Sequence, residues 1–191
     1  ADGTLTEMMS YGIVQLINTE NIDVTVDLHE ASPEYPVINA LIAHERAMNL
    51  ASNVVVDMQM EGVQISLEPS PTDLRGLTHR ELGDHTDTLA LLMEAPNPAQ
   101  GRLRDRTDEA LVLTGKSETY VKAGEIGQLY VPYDENGWPI EVRCARHVFG
   151  IERILANYSE MYEEPIIVTG MPSYDELVKN GMGPYLNEPT T

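Results

Sequence analysis

The chain has 191 residues, 42% of them hydrophobic, with 31 acidic against 12 basic side chains and a formal charge of −19. That length suits one domain with a sizeable core or part of a larger one, and the charge opposes binding to nucleic acid or an anionic membrane. No stretch approaches the ~18 uninterrupted apolar residues of a membrane span, and a single cysteine, Cys144, excludes an internal disulfide and a thiolate zinc cluster without choosing a compartment.

Thr4-Leu5-Thr6-Glu7 fits a capping box, and Leu5, Met8, Met9, Ile13, Leu16 and Ile17 follow at helical spacing, so a helix is predicted over residues 5–18. Ile22 to Leu28 alternates strictly, apolar at even and polar at odd positions, which predicts a strand with one polar face ending next to His29. A parallel strand covered on both faces would be apolar throughout. Water, a segment outside this sequence, or an edge position in the sheet would each account for the polar side.

Pro36 opens an Ala-rich stretch to Asn49 that reads as helical, and Val54 to Asp57 and Gly62 to Leu67 read as short strands. On the predicted helix, His44 shares the spacing of Val37, Leu41, Met48 and Ala51 and is read as a core residue. Thr72 to Asp87 is polar and reads as a loop with a helical turn. Thr88 to Met93 is a continuous apolar run stopped by Glu94-Ala95-Pro96, the pattern of a central strand. Glu118 to Pro132 reads as extended, Glu135-Asn136-Gly137 as a turn and Ala145 to Tyr162 as an amphipathic helix. Residues 161–191 read as a mostly irregular tail with a short helix near Tyr174 to Lys179. Strands alternating with helices predict an α/β domain, layered α/β/α around a mostly parallel or mixed sheet.

Two positions carry candidate chemistry. His29 and Glu94 each follow a predicted strand, and in open α/β sheets the ligand crevice lies outside the carboxyl ends of the strands. Asp27 stands two residues before His29, on the same side of the strand, where a carboxylate can orient the imidazole. Glu94 closes a largely apolar run, a setting that desolvates a carboxyl and raises its pKa toward the range useful in general acid/base catalysis. The structural alternatives are a histidine that merely ends a strand, and a Glu94 salt bridge to Arg102 or Arg104. Arg102, Arg104 and Arg106 are themselves expected to pair with neighbouring carboxylates.

Val26-Asp27-Leu28-His29 resembles the Asp-Leu-His segment that supplies the third zinc ligand in the succinylglutamate desuccinylase/aspartoacylase group. Leu92-Met93-Glu94-Ala95-Pro96-Asn97-Pro98 resembles the strand end carrying the catalytic glutamate of metallocarboxypeptidases, and the separation of 65 positions keeps that superfamily's order. The resemblance covers roughly residues 3 to 160. It implies a zinc-dependent hydrolase of amide bonds, with His29 as a metal ligand, Glu94 as the catalytic base, and a carboxyl-terminal peptide residue or an N-acyl amino acid as substrate. It also implies a His-x-x-Glu ligand pair and substrate-gripping arginines before the Asp-Leu-His strand, and none of the five histidines is followed by Glu at the third position. On this reading residues 1–160 are the carboxyl-terminal part of a catalytic domain, the remaining zinc ligands lie upstream, and the missing amino-terminal segment is a partner. The superfamily's substrate-binding tyrosine has no counterpart between Tyr35 and Tyr120, which leaves His79, Arg80 or His85 as substitutes; a metal site built from His29, His79 and His85 is a weaker option. The rival class is a non-catalytic α/β binding or assembly module that retains the fold.

Overall fold

The computed structural model describes residues 3–104 and 109–186. Helix α1 (Leu5–Glu20) starts at the expected capping box, with Thr4 N–H donating to Glu7 Oε2 at 2.7 Å and Glu7 N–H to Thr4 Oγ1 at 3.3 Å. It ends at Asn21 in the left-handed conformation. Four strands, β1 (Val24–Ala31), β2 (Ala40–Ala43), β3 (Ser66–Pro69) and β4 (Leu89–Pro96), form one mixed sheet in the order β1-β4-β2-β3. β1 runs parallel to β4 and β3 parallel to β2, while β2 and β4 are antiparallel. The molecule is an α/β domain, as the alternation of elements predicts.

β4 is central because its residues are apolar on both faces. Leu91 and Met93 join Leu41 and Ala43 of β2 on one face. Helices α2 (Met48–Met60) and α6 (Ile140–Tyr162) cover them through Leu50, Val54, Met58, Phe149 and Ile154. Gly150 lets α6 come close, since a Cβ there would collide with the Met93 side chain. On the other face Leu92 packs with Ala40 and Ile42, and Ala90 packs with Ile17 of α1 and Leu82 of helix α3 (Thr78–His85). β1 is an edge strand, which accounts for its polar side. In parallel register Thr25, Asp27 and His29 pair with Ala90, Leu92 and Glu94, so the polar side of β1 lies on the α1/α3 face.

Several local expectations fail. The stretch from Pro36 to Asn49 is not a helix: Asn39 adopts a left-handed conformation (φ 54°), and Ala40–Ala43 becomes a fully buried strand. An apolar run so short has no period by which to separate strand from buried helix. His44 is therefore in a loop, capping the short 3-10 turn Glu45–Ala47, although it is buried as expected. Val54 to Asp57 belongs to α2, where burial of Leu50, Ala51, Val54, Val55 and Met58 follows helical spacing; packing overrides the β-propensity of three consecutive valines. Gly62 to Leu67 contributes only its last two residues to β3, which runs to Pro69. Glu118 to Pro132 opens with helix α5 (Glu118–Glu125), capped by Ser117 accepting from the Tyr120 N–H, with Tyr120 and Ala123 buried three apart.

Helix α4 (Glu109–Thr114) precedes it, and Glu135-Asn136-Gly137 is a turn as read. α6 begins five residues earlier than its predicted helix and ends at the predicted Tyr162. Helix α7 (Tyr174–Asn180) packs back on α6 through buried Leu177 and a Tyr174–Phe149 ring contact at 6.0 Å.

Candidate active site at the carboxyl ends of β1 and β4

β1 and β4 both run three residues beyond their expected ends, so His29 and Glu94 lie inside the strands, near their carboxyl termini. Pro96 does not stop the ladder early because it occupies the last paired position, opposite Ala31, and the Asn97 N–H then bonds Ala31 O at 2.7 Å. His29 and Glu94 are register partners on adjacent parallel strands and point to the same face. His29 Nδ1 lies 3.8 Å from Glu94 Oε1, and His29 Nε2 lies 3.1 Å from Asp27 Oδ2. A carboxylate thus fixes one ring nitrogen, and the other faces the glutamate across a gap longer than a hydrogen bond.

The two side chains differ in exposure. That of His29 is 49% exposed and that of Glu94 only 12%. Burial raises the Glu94 carboxyl pKa to about 7, with the negative charges of Asp27 and Glu30 adding to the effect and His29 opposing it. Glu94 Oε2 is buried without a hydrogen-bond partner. No arginine among the described residues pairs with Glu94: Arg104 donates to the carbonyls of Gln100 and Gly101, and the Arg102 N–H bonds Glu34 Oε1 at 2.5 Å. Arg106 lies outside the described residues.

A cavity of about 320 Å³ opens beside the pair, walled mainly by Tyr35, Val37, Ile42, Leu74, Leu77 and Leu92. Thr78 and His79, at the start of α3, complete its polar lining with His29 and Glu94. Of the three side chains considered for substrate contact, His79 alone lines this cavity. Arg80 is turned into an ion-pair cluster with Glu45 and Asp84, Nη1 reaching Glu45 Oε1 at 2.9 Å and Nη2 reaching Asp84 Oδ1 at 3.0 Å. This cluster holds the Glu45 and Asp84 carboxyls down at about 2, chiefly through the guanidinium groups of Arg80 and Arg75 respectively. His85 pairs with Glu81 at 3.3 Å on the exposed side of α3. His44 Nε2 lies 3.2 Å from Asp84 Oδ1, in the same cluster.

Neither a family model, nor a curated protein, nor a solved structure matches this chain.

Among the described residues no group of three or more His, Cys, Asp or Glu side chains is arranged to hold a metal ion. The donor chemistry of His29 nevertheless fits one share of a zinc site, an imidazole with one nitrogen fixed by a carboxylate and the other 3.8 Å from Glu94 Oε1. Sequence reading missed Tyr35, Val37, Leu74 and Leu77 as cavity walls. The signal available was their position in segments flanking the strand ends, but the helical reading of residues 36–49 hid Val37 and the polar reading of residues 72–87 hid Leu74 and Leu77.

Proposed function

We propose that this chain is the carboxyl-terminal part of the catalytic domain of a zinc-dependent amide hydrolase, of the metallocarboxypeptidase and succinylglutamate desuccinylase/aspartoacylase kind. The observation that carries this reading is the in-register pairing of His29 with Glu94, whose carboxyl is held near neutrality beside a cavity of ligand size. The substrate class is a peptide with a free carboxyl terminus or an N-acyl amino acid. His29 would hold the ion through Nδ1, with further ligands supplied from outside this chain.

Zinc, when bound, would polarise the scissile carbonyl and acidify a water. Glu94 takes a proton from water and returns it to the leaving amine, a task suited to a carboxyl that titrates near the working pH. Asp27 keeps the His29 ring in one orientation and one tautomer. Ile42 and Leu92, both buried, keep bulk water from the inner side of the glutamate.

The test compares Glu94→Gln with His29→Ala in the protein that carries this chain, by zinc content and turnover of acyl amino acids and carboxypeptidase substrates. Glu94→Gln is expected to keep its zinc and lose ~10²–10⁴ in rate, because the amide cannot accept the proton. His29→Ala is expected to lose metal as well as activity. Activity of Glu94→Gln within a few-fold of the parent would make Glu94 structural.

One observation favours the second reading, a binding or assembly module: Leu5, Met9 and Leu16 share one face of α1 and are all more than half exposed, and Ile17 is the buried residue of that helix. An apolar helix face of this kind is a feature of assembling surfaces. A parent protein that holds no zinc and shows no turnover would favour that class.

A further inference from the structure

His79 is 4% exposed, yet neither ring nitrogen has a hydrogen-bond partner. Buried polar side chains are nearly always paired, and an exception in a folded protein calls for a reason. His79 lies on a cavity wall, and the cavity grades from a buried floor to an open rim. Ile42 and Leu92 are each 4% exposed, whereas Tyr35 and Leu74 are about half exposed, so a continuous apolar surface leads from solvent to the buried end. No lysine or arginine lines it, and its one acidic lining residue is Glu94. An entering anion would face Glu94 and the nearby negative charge of Asp27, which acts on both Glu94 and His79, and a cation would lose its hydration against apolar walls.

We propose that this cavity is a subsite for an uncharged, largely apolar substrate group carrying one neutral hydrogen-bonding atom, such as a phenol, and that His79 is the specificity-determining residue that bonds that atom. The proposal rests on the hydrolase reading for the word substrate, but not for the binding itself. Burial lowers the His79 pKa, with Asp27 partly opposing, so the ring enters the pairing neutral, able to donate from one nitrogen and accept at the other. The bond satisfies a group that is otherwise orphaned, and the apolar wall supplies the contact area.

The test is binding of p-cresol, toluene, 4-methylbenzoate and 4-methylbenzylammonium to the chain without metal, followed by NMR at the His79 ring and the Leu92 methyls. p-Cresol is expected to shift both saturably, with toluene weaker and each charged analogue at least about tenfold weaker than p-cresol. His79→Phe is expected to remove the preference for p-cresol over toluene, a loss of about three- to tenfold, while toluene still binds. His79→Gln, which keeps a donor and an acceptor, is expected to restore part of that preference. Undiminished p-cresol preference in a folded His79→Phe chain overturns the role of His79, and equal or tighter binding of either charged probe overturns the neutral subsite. Because no turnover is measured, failure here is separate from failure of the hydrolase reading, which the zinc and rate comparison decides.

Discussion

His29 and Glu94 occupy paired positions on β1 and β4 with Nδ1 and Oε1 3.8 Å apart, close enough for charge to be felt and too far for a hydrogen bond. Burial raises the glutamate's pKa to about 7, well above the usual ~4.3, and Oε2 is left without a partner. The local structure therefore carries a cost that a surface glutamate would not.

That cost has a pH signature in the metal-free chain. Between the usual carboxyl range and about pH 7 the folded state binds the Glu94 proton and the unfolded state does not, so stability falls as pH rises through this window. Gln mimics the protonated form. Urea unfolding is expected to show Glu94→Gln equal to the parent at pH 4 and more stable by about 1–3 kcal/mol at pH 8.5. Equal stability at both pH values would show that Glu94 is not desolvated.

Gly83 and Gly12 are both helical, and alanine is expected to act on them with opposite signs. A Cβ at Gly83 would collide with the His44 ring, where α3 meets the loop after β2. Gly83→Ala is expected to cost about 1–3 kcal/mol. Around Gly12 of α1 there is nothing within 4 Å, and Gly12→Ala is expected to stabilise by about 0.5–1 kcal/mol through the unfolded chain. Denaturant midpoints check both, and α3 displaced by Gly83→Ala would also move His79.

Legibility in the sequence followed how far each signal was local. β4 could be read because five consecutive apolar residues, Leu89–Met93, fill a strand-length segment closed by Glu94-Ala95-Pro96, and the Asp27/His29 side of β1 because alternation survives at a sheet edge. The cavity was not legible, since its walls come from three separated segments. β2, which contributes Ile42, depends on the left-handed Asn39, held where its Nδ2 donates to Gln64 O at 3.0 Å, and this contact spans 25 residues. Burial of α3 was hidden for another reason. Its inward face holds Arg80 beside His79 and Leu82, and the arginine is tolerated only because Glu45 and Asp84 meet it.

Arg143 of α6 secures the end of β1. Its guanidinium is almost fully buried, donating to Glu30 Oε1 and to the carbonyls of Val112 and Trp138, while Glu30 also accepts from Asn97 Nδ2 at 2.7 Å. Glu30 follows His29 directly. Arg143→Ala is expected to cost about 3 kcal/mol, because the partners stay behind unpaired. Replacing Glu30 as well, by Gln, is expected to recover part of the loss, and strictly additive unfolding free energies would show that the pair is not coupled.

The most direct test of the account is a zinc titration of the chain followed at its histidine ring resonances. One imidazole with a carboxylate on its far nitrogen is a partial site, so weak, saturable binding is expected, perturbing His29 in preference to His44, His79 and His85. It is expected to persist in Glu94→Gln and to vanish in His29→Ala. Stoichiometric tight binding that survives His29→Ala, or a titration that leaves the His29 ring unmoved, would contradict it.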